Sequence, residues 1–120
     1  MKQDEQGVKK AIQYYFDGTA HGDIDALKKG YTTDCKIYFV NDAGDLDSYD
    51  QDQFHQIIRE NHAKKLKRIN QLLSFEIYEH MATAKVRSDY PAFYFVDFLT
   101  LLRSNGEWKI VAKATVRSST

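Results

Sequence analysis

The sequence has 120 residues with 17 basic and 17 acidic side chains, so its formal net charge is zero and no chain-wide field favours nucleic acid or an acidic membrane surface. That length supports one hydrophobic core, and residues 1–120 are expected to form a single domain. Cys35 is the single cysteine and has no partner for an internal disulfide, the opening MKQDEQGVKK lacks the apolar core of a signal peptide, and no apolar stretch reaches the length of a membrane span. A soluble, cytoplasmic protein is expected. Eight Tyr, seven Phe and one Trp stand against a single proline, and so many rings on a small domain point to a roomy pocket or an aromatic interface.

In chain order, Val8, Ile12, Tyr15, Phe16 and Thr19 recur at helical spacing and predict an amphipathic helix over about residues 4–19, ending near Gly18 and His21-Gly22. Asp23 is a candidate N-cap for a short second helix with Ile24 and Leu27 inward and Gly30 at its end. Cys35 to Val40 alternates as a strand, Asn41-Asp42-Ala43-Gly44 is a turn, and a short strand follows near Leu46 to Tyr49. Asp50 and Gln53 have the spacing of a capping box, opening a third helix whose face carries Phe54, Ile57, Ile58 and Asn61.

From Ile69 to Arg117 the period becomes two, in segments joined by hairpins. Helices first and a meander of strands afterwards is the α+β order. A tight turn at Asn105-Gly106 pairs Leu101 with Ile110, and simple alternation then pairs Leu99 with Ala112 and Asp97 with Ala114. Turns near Pro91-Ala92 and at Glu79-His80 set Asp97 near Val86, Phe95 near Ser88 and Phe75 opposite Ala84. One face therefore collects Leu73, Phe75, Ile77, Ala82, Ala84, Val86, Phe93, Phe95, Leu99, Leu101, Ile110, Ala112 and Ala114 around one charged residue, Asp97. The other face carries Tyr94, Val96, Phe98 and Thr100 with Val111, rimmed by Lys85, Arg87, Lys109 and Lys113. That apolar centre predicts a homodimer through the outer sheet face.

Two segments carry a family resemblance: YFDGTAHGDIDALKKGYTTDC, from Tyr15 to Cys35, and FVDFLTLLRSNGEWKIVAK, from Phe95 to Lys113. With the element order they resemble the nuclear transport factor 2-like superfamily, which includes ketosteroid isomerases and polyketide cyclases, and within it the branch labelled "putative lumazine-binding". The resemblance implies a cone-shaped cystatin-like roll: a strongly curved antiparallel sheet packed on the N-terminal helices, with a pocket between helices and concave sheet, commonly dimeric through the sheet. Aligned on the glycine-aspartate after the first helix, Tyr15 resembles the pocket tyrosine of the isomerases and Asp97 their protonated aspartate. Phe39 stands where those enzymes carry a basic aspartate, so the base is missing.

Asp97 is the sharpest candidate, because desolvation among apolar neighbours is expected to raise its pKa. It is then a neutral donor, a general acid or base, or a structural carboxylate tied to a helix. Asp97 and Tyr15 are the candidate catalytic pair; Tyr31, Phe39, His55, Asn61 and Phe95 are candidate ligand contacts near the rim. His55 and His62 share a helix face without a third ligand, so no metal site is expected, and no cofactor is implied. The acidic run from Asn41 to Asp52 lacks the spacing of a calcium loop, and Lys64-Lys65-Leu66-Lys67-Arg68 reads as a charged connection. Cys35 reads as a small buried hydrophobe. The functional expectation is a domain binding a small molecule, aromatic or fused-ring, with cofactor-independent isomerisation, dehydration or cyclisation as its possible chemistry. The alternative is a non-catalytic dimeric protein-interaction domain.

Overall fold

The structure, a computed structural model, describes residues 2–119; Met1 and Thr120, the two ends of the expected domain, lie outside the described residues. Helix α1 (Lys2–His21) extends two residues beyond expectation at each end, with Asp4 and Glu5 in its first turn and His21 in its last, which complements the helix dipole. It presents Val8, Ala11, Ile12, Tyr15 and Thr19 inward. Gly22, at φ +68, turns the chain, and the Asp23 carboxylate accepts from the Ala26 N–H to open α2 (Ile24–Gly30). A Cβ on Gly18 would come within 2.4 Å of Leu27, so glycine there sets how closely α1 and α2 pack.

Strand β1 (Tyr31–Val40) begins earlier than the alternation announced, and β2 (Leu46–Tyr49) returns antiparallel to it. Helix α3 (Gln51–Ala63) opens on a reciprocal capping box between Asp50 and Gln53. The remaining strands are β3 (Ile69–Tyr78), β4 (Met81–Asp89), β5 (Phe93–Ser104) and β6 (Glu107–Ser119). The six form a curved, unclosed sheet of order β2-β1-β6-β5-β4-β3, in which β1 and β6 are parallel and all other neighbours antiparallel. Val8, Ile12, Leu27 and Ile58 from the helices pack on Ala82, Ala84, Leu99, Leu101 and Ile110 of the concave face. Each large aliphatic side chain buried there contributes about 1.5–3 kcal/mol. No helix among the described residues is long and apolar enough to cross a membrane.

Two interruptions of the ladder correct the expected register. The Asn105-Gly106 turn does pair Ser104 with Glu107 and Leu101 with Ile110, but the next pair is Thr100 with Ala112, which leaves Val111 unpaired as a bulge. Beyond it Leu99 faces Lys113, Phe98 faces Ala114 and Asp97 faces Thr115. Lys113 and Thr115 therefore turn to the concave side, and Ala114 and Val116 turn out. In β3 the ladder steps from Leu72–Val86 to Ser74–Lys85, leaving Leu73 unpaired and 42% exposed, while Leu72 takes the inward place expected of it.

Candidate functional site

The bulges decide what surrounds Asp97. From α1, the Tyr15 hydroxyl donates to Asp97 Oδ2 at 2.7 Å, and from β6 the Thr115 hydroxyl donates to Oδ1. Lys113 Nζ lies 3.2 Å from Oδ2 and donates to the Tyr15 oxygen at 2.8 Å. The same phenol oxygen accepts from Arg68 Nη2 at 2.8 Å, so Tyr15 is the node joining one carboxylate to two cations. Arg68 also donates to Ser88 Oγ, Asn70 Oδ1 and the Tyr90 hydroxyl, and Asn70 reaches back to Thr19 and the Phe16 carbonyl on α1. Asp97, Tyr15, Lys113 and Arg68 are all buried.

These neighbours reverse the expected titration of Asp97. Burial raises its pKa, but the Lys113 charge, the donors of Thr115 and Tyr15 and the Arg68 charge together outweigh it and hold the carboxyl below its ordinary value. Burial and the Asp97 charge push the Tyr15 phenol up, against the lowering pull of Lys113 and Arg68. Burial alone depresses Lys113, yet Asp97 and Tyr15 leave it above the usual lysine value. At neutral pH the floor therefore holds an ionised carboxylate, a neutral phenol, an ammonium and a guanidinium, not the protonated aspartate that the isomerase resemblance implies.

The other candidates are distributed around this floor. Tyr31 packs edge-on against Tyr15 and Phe54, buried rather than on the rim, with its hydroxyl unpartnered. Phe39, half-buried, stacks on Tyr49 at 4.8 Å. Phe95, half-buried, stands edge-on to Phe93 and Tyr90. Asn61 donates to the Tyr90 hydroxyl, which the Arg68 guanidinium also contacts. His55 is buried with Nε2 unpartnered; burial and the nearby Arg59 and Lys28 lower its pKa, and the groups that hydrogen-bond or pair with Asp97 are Tyr15, Thr115 and Lys113 instead. His62 packs over Gly22. No group of three or more His, Cys, Asp or Glu among the described residues is placed to hold a metal ion. Cys35 is buried and its thiol is pushed up to about 12.

Arg68, Lys113, Thr115, Ser88, Asn70 and Tyr90 were not among the sequence candidates. The signal was present only in phase: Arg68, Asn70 and Leu72 alternate inward once Leu73 is skipped, as Lys113 and Thr115 do once Val111 is skipped. Asp97 is 1% exposed, and its partners Tyr15 and Lys113 are buried with it. Open grooves lie elsewhere, one of about 660 Å³ between the start of α1 and the β5–β6 hairpin, and one of about 170 Å³ on the outer sheet face around Phe98.

The family model described as "Putative lumazine-binding" matches residues 3–114. Among solved structures, an NTF2-like protein of unknown function from Shewanella baltica OS155 superposes with a TM-score of 0.86 at 18% identity, covering 98% of this chain and 96% of that one. One of the same description from Silicibacter pomeroyi DSS-3 gives 0.85 at 20% identity, covering 98% of each chain. A domain of unknown function with a cystatin-like fold from Nostoc punctiforme gives 0.76 at 9% identity over 100% of this chain and 80% of that one. These likenesses establish the fold. No curated protein matches the chain.

Proposed function

The chain belongs to the family described as "Putative lumazine-binding", and we propose that it is a small-molecule-binding domain that takes a planar, ring-bearing ligand on the concave face of its sheet. The observation that carries this is the juxtaposition of a buried polar floor with half-buried rings from three strands. Phe39, Tyr49 and Phe95 retain partial exposure where a folded core would bury them, with Phe93 beside Phe95 and Asn61 at the Tyr90 edge. Flat apolar walls with a few oriented polar groups are the usual make-up of a ligand site. The acid–base state of the floor favours binding over turnover. Asp97 is too well stabilised as a carboxylate to be a strong base, and Tyr15 too well held as a phenol to be a strong acid.

The test is an NMR titration of the intact chain with lumazine, a fused-ring imide. Saturable shifts at Phe39, Asn61, Phe95 and Thr115, reduced by Phe95→Ala, support the reading. Shifts confined to the groove beside α1, or none, reject it.

A second reading, self-association through the outer face, is favoured by the bulge at Val111. It places Phe98 opposite Ala114 and Val96 opposite Val116 on the convex side, and removes Lys113 from the expected rim. Phe98 is 59% exposed and Val116 66%, so this strip is more apolar than simple alternation predicts. A second copy related by a two-fold axis would cover it with its own twin, independently of ligand binding.

A further inference from the structure

The floor is unbalanced in charge and in donors. Its buried charged members are Arg68, Lys113 and Asp97, two cations against one carboxylate; Tyr15, Ser88, Asn70, Tyr90 and Thr115 complete the network as neutral groups. A buried charge without a counter-charge is costly, and folded proteins rarely retain one without use. The acceptors are also spent. Asp97 Oδ1 receives Thr115, Oδ2 receives Tyr15 and Lys113, and the Tyr15 oxygen receives both cations.

Donors, in contrast, remain. A guanidinium offers five N–H bonds and an ammonium three. Arg68 directs four, to Asn70, Tyr90, Tyr15 and Ser88, and Lys113 directs two, to Tyr15 and Asp97. The Tyr31 hydroxyl is buried and directs none. Lys113 Nζ sits 4.6 Å from the Tyr15 ring centre and 4.7 Å from that of Phe54, and the Tyr31 ring packs at 5.6 and 5.9 Å against the same two rings. The unspent ammonium N–H and the unspent phenol thus share the same aromatic neighbours.

We propose that the ligand of this site is an anion, a carboxylate or a deprotonated ring oxygen or nitrogen on an aromatic frame, whose negative group is received by Lys113 and Tyr31 and supplies the charge that Asp97 alone does not. This rests on the concave-face binding reading above. A neutral ring of the same shape would leave the surplus charge uncompensated, so charge is the selective feature and ring shape the permissive one.

The test compares 2-naphthoate with 2-naphthamide, matched in shape and different in charge, by calorimetry on the intact chain at neutral pH. The expected result is a dissociation constant for naphthoate at least about tenfold lower than for naphthamide, with the difference abolished in Lys113→Met. Equal binding of the two probes, or a preference that survives Lys113→Met, overturns the anion assignment and leaves concave-face binding standing. Failure of both probes overturns the anion assignment as well, and the lumazine titration then decides the fate of the wider reading. Should Lys113→Met not fold, the unmutated chain still discriminates: naphthoate raises its melting temperature and naphthamide does not, and equal effects overturn the proposal.

Discussion

Three side chains with conflicting needs meet at the phenol of Tyr15. Asp97 is stable as a buried carboxylate only because Lys113, Thr115, Tyr15 and Arg68 all face it. Removing its charge leaves two buried cations with no counter-ion, whereas removing Lys113 brings the floor to balance, Arg68 against Asp97. Asp97→Asn is therefore expected to cost about 3–5 kcal/mol, the range for breaking a buried pair, and Lys113→Met clearly less, as read by urea denaturation. Equal costs would show that the surplus charge is not felt. The titrations fix the pH window. Below its ordinary value of 3.8 the unfolded Asp97 takes up a proton that the folded one refuses, so its contribution is complete above that pH and is lost as pH falls through the depressed folded value. Lys113 is raised above 10.5, so its contribution is complete below that pH and is lost as pH rises through the folded value. His55 adds a milder acid slope: its folded pKa lies below 6.5, so stability falls as pH drops from there, a slope absent from His55→Gln.

The bulges explain which parts of the molecule were legible in the sequence. Helix caps at Asp23 and Asp50, the Asn105-Gly106 turn and the inward run Ala82, Ala84, Val86 follow from local spacing, and the structure has each of them. Asp97 and Tyr15 were likewise visible, because a carboxylate in an apolar stripe and a tyrosine on a helix's inner face need only periodicity. Arg68 and Lys113 were not, because each lies beyond a residue that drops out of the ladder, and one unpaired residue exchanges the two faces of everything after it. Neither Leu73 nor Val111 carries the glycine that marks some bulges, so nothing local announced the change of phase. The same physics gives a prediction. Deleting Val111 alone would close the bulge and keep Lys113 opposite Leu99 and inward, whereas deleting Val111 and Ala112 together would slip the ladder by one residue, turning Lys113 and Thr115 outward and stripping Asp97 of both. The double-deletion variant should lose cooperative unfolding or most of its stability by circular dichroism, and the Val111 deletion should lose clearly less; equal losses would show that the inward placing of Lys113 and Thr115 is not what matters.

For the molecule as a whole, the bulge at Val111 serves both faces of the sheet at once. It supplies a cation to the concave floor and exchanges that lysine on the convex side for Ala114 and Val116, beside Phe98. If the convex strip is covered by a second copy, light scattering at micromolar concentration reports twice the 13.9 kDa chain mass. Phe98→Glu would bury a charge at that contact and shift the protein toward monomer. A monomeric parent, or a dimer indifferent to Phe98→Glu, would reject the interface. The claim on which site, charge surplus and convex strip all depend is that Lys113 points inward, and its ammonium signal tests it directly. In a ¹H–¹⁵N spectrum of the lysine side chains at neutral pH, a buried Lys113 should give a slowly exchanging cross-peak, absent in Lys113→Met, with contacts to the ring protons of Tyr15 and Phe54. A Lys113 signal that exchanges freely with water and shows no contact to those rings would place the side chain on the convex face and contradict the account.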